Sequence, residues 1–204
     1  MIAPAAMLSG MGRVAKNIAI IGFAGALAIL IASWADLRFE WACRKNRSWL
    51  TPCATRYGLP VRLVASVIWQ ESRFRPGKRG AAGELGLMQV TEAAGREWAR
   101  AEHVDGFHRA DLLDARTNVW AGAWYLNRAI QRWRDRPDAL ACALAEYNAG
   151  LVHARRWAAQ TTGDTATNVL ALISFPSTRR YARDVLRRAR CGVAAPEKTM
   201  NAER

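Results

Sequence analysis

Glu71 is the residue of this chain best placed to do chemistry. Val64, Val67, Ile68 and Glu71 fall at the spacing i, i+3, i+4, i+7, so the carboxyl group closes an apolar helix face. A carboxyl group there is partly desolvated, which raises its pKa above the usual ~4.3. A carboxylic acid still protonated near neutral pH is what a glycosidase uses to protonate a leaving oxygen. The plainer role for such a Glu is a helix-end ion pair, and Arg73 and Arg75 are near in sequence. A second inward polar feature is Glu146-Tyr147-Asn148. Tyr147 lies on an apolar helix face, and a buried phenol needs a partner for its hydroxyl, for which a carboxyl group would serve. Between them runs Gly83-Glu84-Leu85-Gly86-Leu87-Met88-Gln89, whose glycines permit close backbone approach to a ligand. That loop lacks the Lys-Ser/Thr ending of a phosphate loop and follows no strand, which excludes nucleotide binding. His103, His108 and His153 sit in no recognisable motif, which argues against Ser/His/Asp catalysis.

These residues need helices to position them. From Leu59 to about Arg190 the chain reads as a succession of short helices without an alternating strand pattern. Pro60 suits the first turn of the helix carrying Glu71. Pro76, Gly77 and Gly80–Gly83 mark a loop after it. Thr91 is placed to cap a helix running to about Glu102, and Asp114 to cap another in which Val119, Ala123, Leu126, Ile130 and Trp133 share a face. Leu140, Ala143, Leu144 and Tyr147 share the face of a further helix stopped by Gly150. The last helix runs from about Thr178, with Tyr181, Val185 and Ala189 aligned, and a polar, disordered tail follows Gly192.

The 204 residues fit one domain with an appendage, and 51% hydrophobic residues can fill a core. The net charge of +13 attracts polyanions: nucleic acid, anionic lipid or an acidic cell envelope. No nucleic-acid-binding signature accompanies it, so no nucleic-acid partner is expected. Nine tryptophans offer flat faces for sugar rings, although most of them are expected to fill the core. Residues 18–34 form an uncharged apolar run. That length is short for a membrane span and long for a signal-peptide core, and both readings stand, with the anchor favoured. Arg13 and Lys16 precede the run, whereas Arg38, Arg44, Lys45 and Arg47 follow it. This asymmetry is opposite to the one that exports the following domain. The expected organisation is an anchor or signal segment over 1–35, a basic connector over 36–53, a catalytic domain over 54–192 and a tail over 193–204. Four cysteines without a Cys-x-x-Cys pair, and few histidines, argue against zinc. They allow two disulfides with three connectivities, taken here as Cys43–Cys53 with Cys142–Cys191, or four thiols with Cys142 in the core.

Three short stretches, Glu71-Ser72-Arg73-Phe74, Gly86-Leu87-Met88-Gln89-Val90 and Tyr147-Asn148-Ala149-Gly150, resemble in order and spacing the successive motifs of the soluble-type lytic transglycosylase (SLT) domain family. Residues 118–126 resemble its intervening helix, and Pro176, Thr178, Arg179 and Tyr181 its C-terminal motif. The resemblance covers roughly residues 54 to 190. It implies a mainly α, lysozyme-like domain with a substrate cleft, preceded here by the transmembrane or signal segment. It also implies cleavage of the β-1,4 bond between N-acetylmuramic acid and N-acetylglucosamine in peptidoglycan, without cofactor or metal. Glu71 would protonate the glycosidic oxygen and then, as carboxylate, take a proton from the muramic acid C6 hydroxyl, which attacks C1 to give a 1,6-anhydro end. Ser72 would contact the sugar, Met88 and Gln89 would line the cleft, Tyr147 would orient Glu71, Asn148 would support the cleft wall and Tyr181 would close the site. The setting implied is the bacterial cell envelope: inner-membrane anchored and facing the periplasm, or exported to it, with envelope machinery as a further partner.

Two positions depart from the family pattern: Glu146 stands where a small residue is more usual and Ser177 where Glu is. Glu146 opens an alternative in which a second carboxylate holds a water and the reaction is hydrolytic, as in a muramidase. A non-catalytic glycan-binding scaffold is the alternative of another class, and the intact Glu71-Ser72 pair argues against it.

Overall fold

The computed structural model describes residues 13–161 and 169–190. It divides into two compact units, Met1–Lys45 and Asn46–Arg204. The helices are α1 (Arg13–Arg56), α2 (Val61–Ser72), α3 (Glu92–Ala101), α4 (Ala115–Trp133), α5 (Ala139–Ala149), α6 (Leu151–Ala158), the single turn α7 (Val169–Leu172) and α8 (Pro176–Arg190), with a 3-10 turn over Arg109–Leu113. Among the described residues the only extended pairing is two isolated bridges, Arg79 with Leu85 and Leu85 with Val90.

The stretch 36–53 read as a connector is helical throughout, as part of α1. Among the described residues no helix is long and apolar enough to cross a membrane, so the span read from residues 18–34 gains no support from the fold. Cys53 is a free, buried thiol, so the Cys43–Cys53 disulfide does not form. Both residues belong to α1, where ten positions rise about 15 Å, beyond the reach of a disulfide. Cys142 is a fully buried thiol whose pKa burial pushes up to about 12, leaving it inert. Cys191 and the polar tail lie outside the described residues.

The helix punctuation follows local chemistry. Pro60 is the N-cap of α2 rather than its first residue: its ψ of 129° is extended while its carbonyl accepts the helix's first hydrogen bonds, from Leu63 and Val64. The Thr91 hydroxyl accepts from the Ala94 N–H, and the Asp114 carboxylate from the Thr117 N–H at 2.8 Å. α8 starts two residues before Thr178, at Pro176, whose missing N–H costs nothing in a first turn. Helix α5 departs from the one-sided face expected of it. Ala141 through Glu146 are all buried in succession, because α5 packs against α4, α6 and α8 at once. Its alanines let Trp133, Trp157, Val169 and Ile173 close around it. Four of the nine tryptophans, Trp69, Trp98, Trp133 and Trp157, are buried.

Two interactions connect this packing to the site. α2 pairs with α8, where Arg62 Nε donates to the Arg188 carbonyl at 2.7 Å. Asn118, fully buried on α4, holds the loop between α2 and α3. Its amide donates to the carbonyls of Leu85 (2.7 Å) and Leu112 (2.8 Å), and its Oδ1 accepts from the Met88 N–H at 2.7 Å. Gly86 (φ 77°) passes so close that a Cβ there would lie 2.5 Å from the Leu112 carbonyl oxygen, and one on Gly122 would lie 2.6 Å from Met88. Asn118→Ala strands the Met88 N–H and the Leu112 carbonyl in the interior and takes one of two bonds from the Leu85 carbonyl, which keeps the Val90 N–H. It is expected to cost roughly 3 kcal/mol or more, read as a lower denaturant midpoint at unchanged slope.

Candidate active site

Glu71 stands in the last turn of α2, one residue before its end. Beyond Ser72 the chain turns sharply through two successive left-handed residues, Arg73 (φ 55°) and Phe74 (φ 59°). This conformation is costly for residues with a Cβ and is held by the surrounding structure. The turn brings the Lys78 ammonium onto the Glu71 backbone carbonyl. The following loop folds back through Gly86 N–H to Lys78 carbonyl (2.8 Å) and the reciprocal Leu85–Val90 pair (3.0 Å each).

The result is an open cleft of about 380 Å³. Glu71, Tyr147 and Asn148 form part of its wall, and Gly80, Ala81, Glu84, Gln89 and Thr91 complete it. The Glu71 pKa is raised from its ordinary 4.5 to about 7. Burial is the principal cause, and the Glu84 carboxylate adds a small repulsion; Tyr181 and the Lys78 charge pull the other way. Tyr181 is buried to 5% exposure on α8. Its hydroxyl has no partner within hydrogen-bond geometry, yet lies near enough to the Glu71 carboxyl group to favour its charged form.

The residues singled out in the sequence take unequal places. Gln89 lines the cleft in a left-handed conformation (φ 49°), with its amide donating to the Gly86 carbonyl (2.8 Å) and the Lys78 carbonyl (3.2 Å). Asn148 lines it at the end of α5, its Oδ1 accepting from the Thr178 hydroxyl at 2.7 Å. Tyr147 lines it too, but its hydroxyl donates to the Met88 carbonyl at 2.9 Å rather than to a carboxyl group. Of the two tyrosines it is Tyr181 whose phenol addresses Glu71. Met88 is fully buried beneath the cleft against Gly122. Ser72 is buried to 1% with its hydroxyl turned back to the Ile68 carbonyl (3.1 Å), so it faces its own helix and not the cleft.

Glu146 is corrected most plainly. It is buried to 2%, accepts from the Trp133 indole at 2.7 Å and pairs with Arg132 at 3.2 Å. It lies outside the cleft lining and is a structural ion-pair residue, which explains why this position carries an acid. The second carboxylate of the cleft is Glu84, which sequence reasoning passed over. Its place between the glycines of the loop was the available signal. Lys78 was also missed, having no periodicity to mark it. Among the described residues no group of three or more His, Cys, Asp or Glu is arranged to hold a metal.

Helices packed around α5, with a carboxyl group set in a cleft beside two tyrosines, place the domain in the lysozyme-like class of the soluble lytic transglycosylases. The chain belongs to the Transglycosylase SLT domain family, whose model matches residues 51–170. It is 34% identical over 112 residues to the membrane-bound lytic murein transglycosylase F of Desulfosudis oleivorans, covering 53% of this chain and 23% of that protein. It is 31% identical over 147 residues to the protein of the same name from Sodalis glossinidius, covering 67% and 30%. Among solved structures it resembles the lytic transglycosylase Slt of Pseudomonas aeruginosa, in an inactive mutant form (TM-score 0.64, 27% identity, 70% of this chain and 23% of that one). It also resembles the 70 kDa soluble lytic transglycosylase of Escherichia coli (TM-score 0.63, 25% identity, 70% and 23%). The match thus spans about a quarter of the length of these relatives.

Folding raises the Glu71 pKa, so between pH 4.5 and about 7 the folded chain holds this proton more tightly than the unfolded chain does, and stability falls as pH rises through that window. Glu71→Gln removes the effect. Relative to the parent it is expected to gain roughly 3 kcal/mol at pH 8 and nothing at pH 4, measured by thermal or denaturant unfolding at both values.

Proposed function

We propose that this domain is a peptidoglycan lytic transglycosylase that cleaves the β-1,4 bond between N-acetylmuramic acid and N-acetylglucosamine and leaves 1,6-anhydro-muramic acid ends. The observation that carries this reading is the Glu71 carboxyl group, set in an open cleft with its pKa raised to about 7. Such a group is protonated often enough to give a proton to the glycosidic oxygen and is basic enough to take one from the C6 hydroxyl. Lys78 and Tyr181 stabilise the carboxylate between the two transfers, and the burial that raises its pKa makes the acid available for the first. Gln89, Tyr147 and Asn148 contact the glycan from the wall, while Ser72 and Met88 support it from beneath. The relatives named as membrane-bound lytic murein transglycosylases favour a bacterial envelope location. The uncharged run over residues 18–34 then tethers the domain to the membrane.

Hydrolysis is the second reading, and it now rests on Glu84, the other carboxylate of the cleft, rather than on Glu146. Mass spectrometry of muropeptides released from purified peptidoglycan separates the two. Products about 18 mass units lighter than hydrolysis products, one water, are expected for the intramolecular route. Glu71→Gln is expected to fold and to lose at least ~10²-fold in rate. Glu84→Gln is expected to keep its rate within about tenfold on the intramolecular route and to lose ~10²-fold or more on the hydrolytic one. Parent activity is expected to fall about tenfold per unit above pH 7, as protonated Glu71 is depleted.

A further inference from the structure

The first compact unit carries a surface that the catalytic reading does not use. On α1, Trp34, Leu37 and Trp41 are each more than 60% exposed. With Arg38 and Lys45 they fall at i, i+3, i+4, i+7 and i+11, one face of the helix. Trp34, Leu37, Arg38 and Trp41 line a shallow groove of about 370 Å³, and the Lys45 ammonium lies 4.8 Å from the centre of the Trp41 ring. Arg44 is exposed as well, whereas the two acids of the stretch, Asp36 and Glu40, are half-buried, as is Cys43, and Phe39 and Ala42 are buried. The exposed face is therefore apolar and basic, with no exposed acid in it. It continues directly from the uncharged residues 18–33, of which Ile20, Phe23, Leu27 and Leu30 are also exposed.

We infer that the face formed by Trp34, Leu37, Arg38, Trp41 and Lys45 is a seat for an anionic lipid surface. Indoles settle at the boundary between hydrocarbon and headgroups, and nearby guanidinium and ammonium groups meet lipid phosphates. From Trp34 to Trp41 the helix rises about 10 Å, enough to cross one headgroup layer of about 5–8 Å. A second copy of the chain is the competing occupant. A water-soluble helix pair, however, keeps a polar outer face, and the adjoining run has no charge on any side. The lipid seat rests on the membrane-tether reading above and adds to it a headgroup contact with a preference for negative lipid.

The full chain is mixed with phosphatidylcholine vesicles containing about 30% phosphatidylglycerol and carrying a nitroxide on the headgroup. Cosedimentation reports the tether, and quenching of tryptophan emission reports the seat. The label is expected to quench about two-ninths of the emission of the nine tryptophans. The Trp34→Phe/Trp41→Phe chain is expected to lose most of that quenching, and Arg38→Glu/Lys45→Glu to reduce it at least about twofold, both with unchanged unfolding midpoints. Cosedimentation with quenching that neither double variant alters overturns the seat and leaves the tether standing. Failure to cosediment overturns both. A disulfide-linked dimer of the Leu37→Cys chain on vesicles, together with absent quenching, gives the face to a second copy and also overturns the proposal.

Discussion

The side chain of Asn118 is the constraint on which the site depends. Its amide has two donors and an acceptor engaged with three backbone groups, and it is fully buried where no water competes. Two of those groups, the Leu85 carbonyl and the Met88 N–H, belong to the loop that walls the cleft; the third belongs to the 3-10 turn. The Met88 carbonyl in turn receives the Tyr147 hydroxyl. One side chain on α4 thereby links the loop after α2 to a cleft residue on α5. The close passage of Gly86 and Gly122 is the steric counterpart of this bonding, because the loop lies flat against α4 where a methyl group would lift it away.

Glu71 is governed by opposed effects of burial and charge. Burial alone would hold the acid neutral, and Lys78 with Tyr181 alone would hold it ionised; between them the group titrates near 7. The two supporting groups come from different places, one from the strained turn after α2 and the other from α8. The α2–α8 pairing is therefore part of the electrostatics of the site as well as of its packing.

Much of this was legible in the sequence, for identifiable reasons. Periodicity locates faces, so the inward position of Glu71 and the succession of helices could be read before any coordinates. Thr91 and Asp114 cap helices by local hydrogen bonds that need no tertiary partner. What escaped depends on partners distant in the chain. Nothing in residues 146–148 says that Glu146 meets Trp133 and Arg132, or that Tyr147 turns to a backbone carbonyl rather than to a carboxyl group. The family resemblance implies a sugar contact for Ser72, yet the helical position after Glu71 points about 100° away, and its hydroxyl returns to its own helix. Glu84 and Lys78 lie on an irregular loop, where no period assigns a side. The Cys43–Cys53 disulfide taken from an even cysteine count failed because both residues belong to one helix, whose rise separates them beyond a disulfide's reach.

The alanines of α5 carry a thermodynamic consequence. Ala141, Ala143 and Ala145 have no rotamers to lose, so their burial costs almost no side-chain entropy. In exchange, its neighbours approach the backbone itself, and that contact offers few alternative arrangements. Tyr147 and Asn148 ride at the end of this helix, so the wall of the cleft is carried by a backbone that its neighbours hold directly at the alanines.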